Sequence, residues 1–490
     1  MKHIVSSVVL TLGFCIFLSG CGGKKGKDLP EDTPWNHGIS AIMETDLGWY
    51  TTGTDEEICL RYYDKESGDF IILCNKPECE HNCDEICEAT YRNLKVVNAY
   101  IYEGYIYLLG WEGVCNDLYD LAERDIPETE IADRINLSLY RAALDGSAID
   151  KVATVFETDN IQHQRVNRSR RTAGVLLFEH DDTSFIIHKG VAYIPVYLML
   201  GEGSKGLRGA GFYKVNLYTG TVKEIEKYET LQSRAPAFLS GVSDYVYYYR
   251  YDAGARRQLW YRYVISEDRV EAADPKFYKT EEQNEIFGKS FIDLGAPAVF
   301  TEGREYFLVR SYQGKDAGTL SILAVDAKTQ GILASESFET EIEFNARKYQ
   351  FNPRENGYYS LMYYDEKLFI SDMEKVYVYD LKGGKCGEVA VPHETLNWND
   401  ADKGIRLDFK ISDGKLYLIY GSDHVYSGGT GSYHRVLSYQ LDAVYHEQGE
   451  WTNAYRMQGR ETFKAYLMKL ADGRDTDWMR KYFSDEFKNE

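Results

Sequence analysis

The sequence predicts an all-β fold: a seven-bladed β-propeller of four-stranded antiparallel blades, followed by a short helical C-terminal tail. Three observations carry this. Short hairpins, apolar and polar in alternation around a Gly, Asp or Glu turn, recur along the chain. They fall into units spaced about 50 to 90 residues apart, the scale of a repeat architecture. Tyrosine is abundant, 41 of 490 residues, and its ring suits the pleated, half-buried surface of a strand.

Taken in order, the chain opens MKHIVSSVVLTLGFCIFLSGCGGKKGKD, with Lys2, an apolar run from Ile4 to Leu18 and small residues ending at Cys21. The run is short for a bilayer span, so the layout reads as an export signal over residues 1–20. Leu18-Ser19-Gly20-Cys21 resembles a lipobox. Cys21 would then become the lipidated N-terminus, and acyl chains at about 0.8 kcal/mol per buried CH₂ hold a soluble domain on a membrane. A plain secretory signal that contains a cysteine is the alternative. Residues 21–37, rich in Gly, Lys and Pro, read as a tether. The resulting expectation is a protein lipid-anchored at the extracytoplasmic face of a bacterial cell membrane. A formal charge of −21 argues against nucleic acid as a partner.

Residues 38–456 hold the repeats. The plainest hairpins are LRYYDKESGDFIIL (60–73), LYRAALDGSAIDKVATV (139–155), FYKVNLYTGTVKEI (212–225) and VYVYDLKGGKCGEVAV (376–391); weaker copies occupy 259–273, 320–335 and 436–451. Each follows a second hairpin that leads into an aromatic strand, as in AYIYEGYIYLLG (99–110) and GVSDYVYYYRY (241–251), with 42–52 as the degenerate first copy. Two hairpins make a four-stranded meander, and radial stacking of meanders makes a propeller. A β-sandwich or two smaller β-domains are the other arrangements such repeats allow.

Parity then separates two ends of the wheel. In an up-and-down blade the turns between strands one and two and between three and four lie on one face, and the remaining connections lie on the other. The first set is tight here, while the second holds the long insertions, including 74–94, 110–138, 157–183 and 421–435. A rigid scaffold that displays loops on one side is expected to work through that side.

The stretch CNKPECEHNCDEICEA lies there and brings together Cys74, Cys79, His81, Cys83 and Cys87. Seven cysteines remain once Cys15 and Cys21 are set aside, an odd number that cannot pair completely within one chain. Disulfides suit an exported protein. Three thiolates and His81 could instead hold a structural zinc, although the spacing lacks a C-x₂-C knuckle. Free thiols are the third state. Glu78, Glu80, Asp84, Glu85 and Glu88 surround these thiols and disfavour an unliganded thiolate. No cofactor beyond that zinc is implied.

Cys74, Pro77, Cys79, His81, Cys87 and Ala89, placed after a hairpin in a lipobox chain, resemble the pattern of Tyr-rich β-propeller lipoproteins of anaerobic Gram-positive bacteria. The resemblance implies fold and location and brings no activity with it. Cys83 departs from the pattern.

QRVNRSRRT places Arg165, Arg168, Arg170 and Arg171 on the same loop-bearing side. Arginine forks suit carboxylate, sulfate or phosphate, so a polyuronate or teichoic acid is a candidate ligand; a solvated loop balanced by Asp181 and Asp182 is the plainer account. SGGTGSYH (427–434) has no Gly-Lys-Ser/Thr ending and joins strands, so it reads as a flexible loop and not a phosphate cradle. Histidines 81, 163, 180, 393, 424 and 434 also fall in these loops, and the chain has neither G-x-S-x-G nor H-E-x-x-H. Alternating tyrosines read first as strand packing and second as sugar-stacking surfaces. In the tail, 457–490, Phe463, Tyr466, Leu467 and Leu470 share a helical face that would pack on the propeller or dock a partner.

The functional expectation is a binding protein that presents its loop-bearing face to a cell-envelope or environmental glycan or to an envelope protein. The alternative is a hydrolase or lyase acting on polysaccharide from a site on that face. A scaffold within an envelope complex is a third reading.

Overall fold

The computed structural model describes residues 36–37, 40–45, 48–51, 61–64, 70–73, 94–112, 134–145, 148–159, 185–199, 207–228, 237–252, 257–273, 298–312, 317–345, 359–372, 374–392, 405–412, 414–422, 433–445 and 449–456. These form an all-β fold of antiparallel meanders. The first sheet is β1 (Asn36–His37), β2 (Ser40–Glu44), β3 (Gly48–Thr51), β4 (Arg61–Asp64) and β5 (Phe70–Ile72). The second holds β6 (Leu94–Tyr102), β7 (Tyr105–Glu112), β8 (Arg134–Ala143) and β9 (Ile149–Asp159); the third holds β10 (Ile186–His188), β11 (Val191–Met199), β12 (Leu207–Asn216) and β13 (Val222–Tyr228). The fourth comprises β14 (Ala237–Val242), β15 (Tyr245–Asp252), β16 (Arg257–Val264) and β17 (Arg269–Ala272). The fifth comprises β18 (Ala298–Thr301), β19 (Arg304–Tyr312), β20 (Ala317–Asp326) and β21 (Phe338–Asn345). Next come β22 (Ser360–Tyr364), β23 (Lys367–Ser371), β24 (Lys375–Asp380) and β25 (Lys385–Ala390), then β26 (Ile405–Ser412), β27 (Lys415–Ser422), β28 (Tyr433–Gln440) and β29 (Thr452–Arg456). Within each sheet the spatial order is the chain order.

Turn chemistry explains the hairpins. Glu103 and Gly104, Lys189 and Gly190, and Asp365 and Glu366 all have positive φ, the pair of left-handed residues that a two-residue type I′ turn requires. At the other tight turn, the last residue of the third strand uses its side chain as a template. The Oδ1 of Asn216 accepts from the Tyr218 and Thr219 amides, that of Asp326 from Lys328 and Thr329, and that of Asp380 from Lys382 and Gly384.

A repeated bond joins the two turns of a sheet. The residue just past the third strand donates its amide to the first turn: Leu217 to Gly190, Ile265 to Asp244, Ala327 to Gly303 and Leu441 to Gly414. The tight turns therefore sit side by side at one end, and the connections between strands two and three and between sheets leave from the other.

Consecutive sheets pack face to face. β2 meets β6, and the same first-strand contact continues from β6 to β10, β14, β18, β22 and β26 in turn. Aromatic pairs fill the clefts between neighbours: Phe212 with Tyr248 at 4.9 Å, Tyr193 with Tyr263 at 5.9 Å, and Tyr247 stacked on Phe300 at 3.9 Å. Such pairs add about 0.5 to 1.5 kcal/mol each beyond the area they bury. These buried tyrosines thus serve packing between sheets.

Two expected hairpins differ. In 320–335 the fourth strand does not follow the turn directly; Val325 and Ile332 make one bridge, and pairing resumes at Phe338. The Glu336 amide bonds the Leu333 carbonyl, and the Arg304 guanidinium holds both oxygens of Glu336 at 2.9 and 3.2 Å, so the chain is drawn out of the ladder. In 436–451 the turn contains a one-turn helix α1 (Leu441–Val444), whose Leu441 and Val444 are buried. Its end lies against Gly387, where an added Cβ would stand 2.5 Å from the Val444 carbonyl oxygen. The pair β1 also begins inside the stretch read as tether. The tail at 457–490 lies outside the described residues. Among the described residues no helix is long and apolar enough to cross a membrane.

Candidate functional site

Cys21, the cluster Cys74, Cys79, His81, Cys83 and Cys87, and Arg165, Arg168, Arg170 and Arg171 all lie outside the described residues. Their attachment points do not. Leu73 precedes the cysteine stretch and is buried with Tyr50, Ala99, Ile106 and Leu108 in the cleft between the first and second sheets. Phe185 follows the arginine stretch, is fully buried, and packs 6.0 Å from Tyr100. Residues 74–93 and 160–184 are thus each bounded on one side by a buried core residue.

Two acid-centred clusters stand at the loop-bearing end. One is in the cleft between the third and fourth sheets. Tyr228, the last residue of β13, and Tyr248 each donate a hydroxyl to Glu226 Oε2, at 2.5 and 2.7 Å, and Arg250 Nη1 donates to Oε1 at 3.0 Å. The guanidinium lies 4.0 Å from the Tyr261 ring centre and 5.5 Å from that of Tyr228. Strand alternation puts Tyr248 and Arg250 on one face of β15, and cross-strand pairing sets Tyr261 opposite Tyr248. Burial raises the Tyr248 and Tyr228 hydroxyls, and the Glu226 charge adds to it. Burial alone would lower Arg250, but its hydrogen bond with Tyr261 and the Glu226 charge outweigh that and raise it.

The other cluster is on the second sheet. Glu112, the last residue of β7, accepts from Ser138 Oγ at 2.9 Å, from Lys151 Nζ at 2.7 Å and from the Tyr140 hydroxyl. Gly110 lies between Glu112 and the rest of the strand on this face, which leaves room for the Tyr140 and Lys151 side chains to converge. Burial pushes Glu112 toward its neutral form, yet the bonds from Lys151, Tyr140 and Ser138 hold it below the usual carboxylate range. Burial and the bond to Glu112 raise the Tyr140 hydroxyl.

Each carboxylate is thus enclosed by three donors of the protein itself. That arrangement stiffens a cleft mouth and offers a polar, aromatic rim. Neither centre was evident in the sequence. The available signal was a charged residue interrupting an apolar or aromatic run, as in LLGWE and YVYYYRYD. Their partners are up to 39 positions away.

Among the described residues no group of three or more His, Cys, Asp or Glu side chains could hold a metal ion. His188 is buried at the opposite end, where its Nε2 is 3.0 Å from the Ser243 carbonyl oxygen and its ring fills the space over Gly241. Cys386, on β25, is a free thiol.

No protein-family model and no curated protein matches the chain. Solved structures do. A GH74 xyloglucanase from Xanthomonas campestris aligns at 11% identity and TM-score 0.40 over 88% of this chain and 56% of its own, so the chain spans about half its length. The Dos1 propeller aligns at 10% identity and TM-score 0.38, over 87% of this chain and 88% of that one. A PL25 ulvan lyase bound to a glucuronate and sulfated rhamnose saccharide aligns at 10% and 0.36, over 79% and 93%.

Proposed function

We propose that the meanders are the blades of a seven-bladed β-propeller, held at the extracytoplasmic face of a cell membrane by lipid on Cys21, and that it acts by binding. The ligand is a cell-envelope or environmental glycan or an envelope protein, engaged at the loop-bearing end. One observation carries this reading: the paired turns of a sheet are bonded together at one end, while the connections between strands two and three and between sheets leave from the other. A rigid wheel with one plain end and one elaborated end is built to display loops. The two acid clusters support binding over catalysis, because Glu112 and Glu226 are each engaged by three donors of the protein itself. Arg165, Arg168, Arg170 and Arg171 supply charge complementary to uronate, sulfate or phosphate.

The test uses the soluble form that lacks residues 1–21, immobilised polyuronate, teichoic acid and neutral glycans, and the variant with all four arginines changed to alanine. Binding of an anionic polymer that weakens at least tenfold in the variant is the expected result. Equal binding by both forms removes the arginines from the site. Release of reducing or unsaturated ends from polysaccharide, without stable binding, would replace the binder with the hydrolase or lyase.

A further inference from the structure

The second residue of the second strand is fully buried in six sheets: Ile106, Ala192, Val246, Glu305, Leu368 and Leu416. Five are aliphatic. The sixth is a glutamic acid, in the seam between the fourth and fifth sheets.

Its surroundings are built for it. From the fourth sheet, the Tyr247 hydroxyl reaches Glu305 Oε1 at 2.8 Å and Arg262 Nη1 reaches it at 3.1 Å. From the fifth, the Gln330 side-chain amide reaches the same oxygen at 2.9 Å. Gln330 is held at φ +57, a left-handed backbone unusual for its type, and this turns its amide inward. Glu305 Oε2 and Gln330 Oε1 are buried and accept no hydrogen bond. Three donors thus converge on one oxygen while the other is buried with no donor, so ionisation would leave half of the carboxylate unsupported away from water.

The charge balance agrees. Arg262 is itself buried, stacked 4.2 Å from the Tyr245 ring centre, and gives a nitrogen to the Ala327 carbonyl. Its charge is already matched by Glu271, 2.6 Å away. A second carboxylate here would bury an uncompensated negative charge.

We propose that Glu305 is a proton-operated latch: as the neutral acid it holds the fourth and fifth sheets together, and its ionisation loosens that seam. Desolvation pushes its carboxyl from 4.5 to about 7, against the opposing bonds from Tyr247 and Gln330 and the pull of Arg262. The groups that face it keep one state across this range. Burial raises the Tyr247 hydroxyl. Arg262 is raised despite burial by Tyr247, Glu271 and Glu305, and Glu271 is lowered despite burial by Arg262 and Arg269. Because the folded form holds the proton more tightly, the stabilisation is complete below about pH 4.5 and is lost as pH rises through about 7.

The test compares urea unfolding of the parent with Glu305→Gln, which mimics the neutral acid, and Glu305→Leu, which restores the aliphatic of the other sheets, from pH 4.5 to 8.5. The expected result is a folding constant that falls with pH in the parent relative to Glu305→Gln by up to roughly 300-fold, the equivalent of a rise from 4.5 to about 7. Parallel pH profiles would overturn the latch. Should either variant fail to fold, infrared difference spectra of the parent decide: a protonated-carboxyl band at pH 6 that is lost by pH 8.5 supports it, and absence of that band at pH 6 rejects it.

Discussion

Replacing Glu226 by alanine removes the shared acceptor of three donors from two sheets. Tyr248 is fully buried and Tyr228 is 6% exposed, so both hydroxyls are stranded where water does not replace the lost acceptor. A buried polar group that loses its partner costs about 1 to 3 kcal/mol. The Arg250 side chain is 23% exposed and so is partly rescued by solvent, which limits its share to roughly 0 to 1 kcal/mol. The expected loss is therefore about 2 to 7 kcal/mol of unfolding free energy. Tyr248→Phe removes one donor and leaves the carboxylate two, so it costs only about 1 kcal/mol. In the double variant no Tyr248 hydroxyl is stranded, and the summed losses should exceed the observed one by about 1 kcal/mol or more. Urea unfolding of the soluble form, followed by fluorescence of Trp260 and the other tryptophans, measures all three. A Glu226→Ala loss below about 0.5 kcal/mol, or additivity within about 0.3 kcal/mol, would refute the claim that this cluster braces the cleft.

Two further outcomes are expected. Gly190 has φ +73, and an added Cβ would stand 2.5 Å from the Tyr218 ring, whereas Gly104 has φ +77 with nothing within 4 Å. Gly104→Ala should then cost about 1 kcal/mol for backbone strain alone, and Gly190→Ala measurably more by the same unfolding assay; equal losses would mean that the Tyr218 contact is immaterial. For the cysteine stretch, intact mass and metal analysis of the form lacking residues 1–21, before and after alkylation without reductant, should give disulfides and no bound metal; one tightly held zinc with protected thiols would make Cys74, Cys79, His81, Cys83 and Cys87 a metal site instead.

The strand plan was legible because its causes are local. Period-2 alternation and turn residues act within a dozen positions, and in pairs such as 60–73, 99–110 and 376–391 each expected hairpin is a pair of strands. Where a long-range contact intervenes, the reading slips: Glu336 is drawn toward Arg304, 32 positions away, and this displaces β21. The acid clusters were illegible for the same reason. Glu226 and Arg250 are 24 positions apart and Arg262 and Glu305 are 43 apart, and nothing in either segment announces the partner across the cleft. The residues that did stand out, the cysteines of 74–87 and the four arginines, lie outside the described residues.

Among the described residues every sheet is woven from strands consecutive in the chain, and neither the first nor the last borrows a strand from the other end of the molecule. A polypeptide that emerges N-terminus first can therefore finish each layer before the next is available, with loop closures limited to neighbouring segments. Assembly of the described sheets need not wait for a C-terminal strand to complete the first.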